Sequence, residues 1–166
     1  MTTFNKIKSK IVSLPEAIEV VEAWKQKGIK TVFTNGCFDL LHLGHLDYLS
    51  KSKDLGDKLI LGLNSSASVS RLKGPTRPIN STESRAMMLA ALEFIDLVVV
   101  FEEDTPLNII ASLTPNILVK GGDYTIATII GASEVEAKGG LVKVIPFLDG
   151  YSSTTIVTKI QSLSKN

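Results

Sequence analysis

Five short apolar runs constrain this chain more than any other feature: Thr31–Thr34, Lys58–Leu63, Leu97–Phe101, Ile117–Lys120 and Leu141–Phe147. Stretches long enough to hold a helix separate them. Lys58–Leu63 reads K-L-I-L-G-L and Leu97–Phe101 reads L-V-V-V-F, without polar alternation. Continuous apolar runs of this length suit strands buried on both faces, and helices between such strands imply parallel crossovers. The expected fold is therefore α/β, Rossmann-like and doubly wound. Its sheet is mostly parallel and five-stranded, in the order 3-2-1-4-5, with helices on both faces.

The helix signals fill the gaps. Ser13-Leu14-Pro15-Glu16 has the form of a capping box, and Leu14, Ile18, Val21 and Trp24 recur at helical spacing up to a stop at Gly28. Residues 1–29 are read as an N-terminal helical extension and 30–163 as the core, within a single domain of 1–166. Asn80 with Glu83 offers a second capping box, before a helix carrying Arg85, Met88, Leu89 and Leu92. Thr105-Pro106 starts another helix, and Thr125–Lys138 reads as one or two short helices broken at Gly131. Ser153 opens a last helix, predicted to turn Ile156, Ile160 and Leu163 inward.

Composition excludes several classes. With 18 basic and 17 acidic residues the net charge is +1, so the basic footprint of a nucleic-acid binder is missing. A single cysteine rules out an internal disulfide and suits a reducing compartment. The N-terminus has no apolar segment fit for a signal peptide, and no run approaches the ~20 residues of a membrane span. A soluble cytoplasmic protein is expected.

Polar, glycine-rich segments follow the strands: Asn35–His45, Asn64–Arg77, Gly121–Tyr124 and Gly150–Thr155. In a doubly wound sheet these converge beyond the carboxyl ends of the strands, where ligands bind. His42 and His45, the only histidines, stand three apart across Gly44 at a helix entrance, which places both rings on one face beside an anion-favouring helix terminus. Zinc is not expected, because H-E-x-x-H spacing and further cysteines are lacking. Cys37 lacks the arginine six residues on that a cysteine phosphatase needs, and reads as a small packing residue. Neither the P-loop nor G-x-G-x-x-G is present. Lys73 and Arg77 read equally as solvated charges, whereas Arg85 opposes its own helix dipole, which suggests an anion beside it. Ser152–Thr155 reads both as an N-cap and as a terminal-phosphate site.

Taken together, G-C-F-D-L-L-H-L-G-H resembles the signature of the H-x-G-H nucleotidyltransferase superfamily that includes the cytidylyltransferases. With R-L-K-G-P-T-R-P-I-N, V-K-G-G-D-Y and G-Y-S-S-T-T-I, the chain is similar over residues 5–163 to the adenylyltransferase domain of bacterial ADP-heptose synthesis, in its stand-alone form without a sugar kinase. The resemblance implies transfer of AMP from ATP to D-glycero-β-D-manno-heptose 1-phosphate, with pyrophosphate released and the product used for the lipopolysaccharide inner core. It implies catalytic roles for His42, His45, Lys73 and Arg85. Nucleotide contacts fall to Thr34, Asn35, Gly36, Cys37, Phe38 and Gly44, then to Asp123, Ser153, Thr154 and Thr155. The sugar phosphate falls to Asp39, Arg77, Gly121 and Gly122. Mg²⁺ is expected to bridge ATP with few protein ligands.

The resemblance also makes a homodimer conceivable, and the apolar helix around Trp24 offers a surface for one. Two other readings stay open: a cytidylyltransferase acting on a phosphorylated alcohol, and a non-catalytic nucleotide-binding module. Phe147-Leu148-Asp149 lacks the arginine that glycerol-phosphate enzymes often carry before the serine–threonine run, which argues against that acceptor.

Overall fold

The structure is a computed structural model that describes residues 1–122 and 124–163. Asp123 lies outside the described residues, so its expected role is not placed. In chain order the elements are α1 (Thr3–Lys8), β1 (Ile11–Val12), α2 (Leu14–Gln26), β2 (Thr31–Gly36), α3 (Leu43–Lys53), β3 (Lys58–Asn64), α4 (Ser66–Lys73) and α5 (Thr82–Ala90). They continue with β4 (Leu97–Phe101), α6 (Leu107–Leu113), β5 (Ile117–Gly121), a 3₁₀ turn (Ile126–Thr128), α7 (Ala132–Ala137), β6 (Leu141–Ile145) and α8 (Ser153–Leu163).

The sheet has six parallel strands in the order β1-β4-β3-β2-β5-β6. The predicted order holds among the five predicted runs; the difference is β1. Ile11 and Val12 pair with Val98 and Val99 at the edge of the sheet, so the N-terminal extension is not wholly helical. Two residues are too few to show a strand period in sequence.

Both faces are covered, as continuous apolar strands require. Phe33, Ile60, Val99 and Leu118 face a core built with α2, α6 and α7. Their neighbours Val32, Leu61, Val98 and Val119 face a second core with α3 and α5. The alternation within each strand is the period of two expected of a pleated backbone, here with apolar groups on both sides. Trp24 packs on the first core, with the Lys58 ammonium 5.4 Å from its ring. The Ser13–Glu16 capping box forms as read, whereas α5 is capped by Ser81, one residue beyond Asn80. The inward reading of α8 is overturned at two positions: Ile160 is 60% and Leu163 67% exposed.

From β2, the chain goes to β3 on one side and later to β5 on the other, so the strand order reverses between β2 and β5. There, two buried polar residues fix the loops. Asp39, 2% exposed, accepts from the N–H groups of Ile79 (2.8 Å) and Asn80 (2.9 Å) and pairs with Arg77 at 3.0 Å. The Asn80 side-chain amide also donates to the Asp39 carbonyl at 2.7 Å, so Asn80 is held at this turn by both its N–H and its side chain. Arg85, wholly buried, donates to the carbonyls of Cys37 (2.7 Å), Asn64 (2.8 Å) and Asn80 (3.1 Å) and to the hydroxyls of Thr82 (3.3 Å) and Ser66 (3.4 Å). Its five N–H donors are thus all engaged. Replacing Arg85 with Met strands three carbonyls and should lower stability by about 3–5 kcal/mol, read as a drop in the urea midpoint; an unchanged midpoint would show that these bonds hold nothing together.

Candidate active site

β2 ends in Asn35-Gly36, and the chain turns through Cys37 and Phe38 before α3. Phe38 carries a φ of 43°, an unfavourable region for a residue with a side chain. A conformation of this kind persists only when its surroundings enforce it. Here the Cys37 carbonyl is held by Arg85, the Asp39 carboxylate by the 79–80 backbone, and the Phe38 ring sits edge-on to His45 at 5.1 Å.

The turn delivers His42 as the N-cap residue of α3 and His45 into its first turn. No side chain caps this helix; the His45 N–H bonds the His42 carbonyl at 2.9 Å, and Gly44 before it borders the cleft. The two imidazoles stack with centroids 3.8 Å apart and planes inclined by 21°. Gly44 permits this: a Cβ there would stand 3.1 Å from both His42 Nδ1 and Tyr151 Cβ. Among the described residues, Nδ1 of each histidine is buried with no hydrogen-bond partner. Buried polar atoms without partners are rare, and two together beside an uncapped helix terminus point to a ligand that supplies the partners.

A cleft opens at the strand switch point, in two lobes. The first, about 300 Å³, lies between the ends of β2 and β5 and includes Asn35, Gly36, Phe38, Tyr48, Lys120 and Gly121 in its walls. The second, about 260 Å³, lies against the start of α8 and includes His42, Gly44, Arg77, Ser152 and Thr154. His45, Lys73, Phe147 and Ser153 border both. The hydroxyl run turns out to serve both readings: Ser152 Oγ accepts from Thr155 N–H at 3.0 Å as a cap, while Ser153 and Thr154 line the cleft.

Most of the expected residues converge here: His42, His45, Lys73, Asn35, Gly36, Cys37, Phe38, Asp39, Gly44, Arg77, Gly121, Ser153 and Thr154. Four do not line the cleft. Thr34 is fully buried beneath the floor, 2.5 Å from the Tyr48 hydroxyl. Arg85 faces carbonyls rather than the cavity. The Thr155 hydroxyl turns back to Ser152 at 2.8 Å. Gly122 lies under Phe147, where its missing Cβ would be 3.0 Å from the ring.

The sequence reading did not single out Lys120, Tyr48, Tyr124, Phe147 and Tyr151. A lone lysine at a strand end looks like a solvated charge, and Phe147 looks like the last residue of a strand. In fact β6 stops at Ile145 and the Phe147 ring crosses onto Gly121, where any Cβ would collide with it. Gly121 therefore has a steric reason to be glycine, and Tyr48 completes the contact with Phe147 at 5.9 Å.

Among the described residues no group of three or more carboxylates, thiols and imidazoles is placed to hold a metal. Asp39, the carboxylate in the wall, spends its oxygens on two N–H groups and Arg77.

Burial, the His42 ring and the Lys73 charge hold the His45 pKa at about 4, and burial lowers that of His42 as well. Both are neutral imidazoles at pH 7, able to donate one N–H and accept at the other nitrogen. The unfolded chain binds a proton on His45 near pH 6.5, before the folded one does. The stability contributed by neutral His45 is therefore complete above about pH 6.5 and falls away toward pH 4. Thermal melts of the unliganded protein should show that decline, and His45→Gln should flatten it; an unchanged slope in the variant would remove His45 as its source.

The family model described as cytidylyltransferase-like matches residues 33–159. The protein named bifunctional protein HldE from Geobacter sulfurreducens is 53% identical over 152 residues, covering 92% of this chain and 31% of that protein. Its counterpart from Syntrophotalea carbinolica is 57% identical over 142 residues, covering 86% of this chain and 29% of that protein. The chain thus spans about a third of the length of these curated relatives. A crystal structure of the lipopolysaccharide core biosynthesis protein from Thermoplasma volcanium aligns with a TM-score of 0.59 at 30% identity, over 75% of this chain and 100% of that one. With the H-x-G-H stack, the strand switch point and the α8 hydroxyls falling within the matched span, the chain belongs to the cytidylyltransferase-like family.

Proposed function

We propose that this chain is a nucleotidyltransferase that moves AMP from ATP to D-glycero-β-D-manno-heptose 1-phosphate, giving ADP-heptose and pyrophosphate. The observation that carries the reading is the stacked His42–His45 pair with two unpartnered Nδ1 atoms at the uncapped start of α3. The resemblance of V-K-G-G-D-Y and R-L-K-G-P-T-R-P to the ADP-heptose adenylyltransferases supports the acceptor, as do the relatives named HldE and the lipopolysaccharide core biosynthesis protein.

The acceptor phosphate is already an anion, so the reaction needs no general base. A phosphate oxygen attacks the α-phosphorus of ATP, and the bond to the bridging oxygen breaks with its electron pair leaving on pyrophosphate. What remains is to hold two anions together and to stabilise the negative charge that builds on the α-phosphoryl oxygens. Neutral His42 and His45 supply N–H donors for that charge. Lys73, on the border of both lobes, neutralises phosphate from either substrate. Ser153 and Thr154 with Arg77 receive the leaving pyrophosphate at the start of α8. ATP enters as its magnesium complex, the ion belonging to the substrate. Arg85 and Asp39 act by fixing the turn and the 79–80 backbone rather than by touching phosphate. The protein works in the cytoplasm, where ATP and sugar phosphates are found.

Pyrophosphate release from ATP and from CTP, each offered with heptose 1-phosphate and with glycerol phosphate, tests the assignment. ATP with the heptose phosphate should be the productive pair. Turnover only with CTP and the alcohol phosphate would replace this reading, and release from no pair would leave a binding module. His42→Ala and His45→Ala should each lose roughly 10²–10³-fold in kcat, with ATP binding still measurable by calorimetry; near-normal turnover in both would refute the role given to the stack.

A further inference from the structure

Among the described residues that line the cleft, Lys120 is a cation that the steps above leave without a task. It is the penultimate residue of β5, directly across the strand switch point from Asn35. Its side chain is half-buried, its ammonium donates to Asn35 Oδ1 at 3.3 Å, and it stands 5.9 Å from the Tyr124 ring. An ammonium has three N–H donors, and among the described residues no carboxylate forms an ion pair with this one. Burial pushes its pKa below the ordinary lysine value. A cation held this way in a cavity wall favours an anion as its missing partner.

Geometry decides which anion. Displacement at the α-phosphorus is in line, so entering and leaving oxygens lie on opposite sides of it. The lobe against α8 holds the hydroxyls of Ser153 and Thr154, His42 and Arg77, a set of donors for a chain of phosphates. With pyrophosphate leaving on that side, the entering phosphate comes from the other lobe, between β2 and β5. Lys120 borders that lobe and does not border the one against α8. Lys73 and His45 stand on the boundary between them.

We propose that Lys120 binds the phosphate of the acceptor and so makes this lobe selective for phosphorylated acceptors. The assignment rests on the nucleotidyl-transfer reading above and adds to it the residue that recognises the nucleophile. Lys120 grips a non-attacking oxygen of the acceptor phosphate. One of the two other terminal oxygens forms the new bond to the α-phosphorus while the bond to the bridging oxygen breaks, and no proton changes hands.

Lys120→Gln removes the charge and retains a donor for Asn35, so the fold has no reason to suffer. In pyrophosphate-release assays with MgATP and heptose 1-phosphate, the KM for the sugar phosphate should rise ~10–100-fold, the loss expected for one charge-assisted hydrogen bond. The KM for ATP should stay within about twofold of the wild type, since uniform loss of binding affects only the substrate touched. Lys120→Arg, which keeps a cation, should recover most of the acceptor KM. An unchanged acceptor KM in the Gln variant, or an equal rise in both KM values, overturns the role of Lys120 while wild-type turnover upholds the reaction. Absence of wild-type turnover with every acceptor overturns the reaction and this assignment together.

Discussion

The arrangement of the cleft depends on one buried cation. Arg85 reaches from α5 to the carbonyls of Cys37, Asn64 and Asn80, which belong to three separate stretches of the chain. Those carbonyls lie at the start of the turn after β2, at the end of β3 and in the loop before α5, the parts that must be in register for the histidines to meet the cavity. A guanidinium suits the task because its planar fork offers five donors at fixed angles; burial lowers its pKa, and the nearby Asp39 carboxylate opposes that shift. The strained Phe38 backbone becomes tolerable because its neighbours on both sides are tied down.

Much of this architecture is legible in the residues. Continuous apolar strands identify a sheet buried on both faces, and the positions of the glycine-rich loops locate its working edge. The histidine pair and the hydroxyl run are readable because each is a local pattern, a spacing and a cap; Lys73 comes from the resemblance alone, since its own surroundings in sequence read equally as a solvated charge. What escaped is non-local. Arg85 was expected to meet an anion, since a cation near a helix N-terminus opposes the dipole. Its carbonyl partners lie 48, 21 and 5 residues away and are joined to it only by folding. Ile160 and Leu163 follow a helical period yet face outward, since periodicity locates a stripe without saying whether anything covers it.

The same limit explains the aromatic wall. Phe147 continues the apolar run of β6 in sequence, but the pairing with β5 ends at Ile145. Two glycines at the end of β5 leave a flat surface into which the ring fits, and Tyr48 closes it from α3. Nothing in a one-dimensional pattern links residue 147 to residue 121. Lys120 is hidden for a related reason. Its partner Asn35 is adjacent only because β2 and β5 are neighbours in the sheet.

The glycine between the histidines has a consequence for how such a motif is defined. Its hydrogen atom leaves a gap that the His42 ring and the Tyr151 side chain both occupy. The middle of the motif is thus a specification of volume, and its content is that nothing is there. A chain with alanine at this position would hold the same titratable groups in the same order. Its methyl group would nevertheless press on the His42 ring and the Tyr151 side chain, each of which must give by a few tenths of an ångström. The motif therefore encodes a shape as well as an inventory.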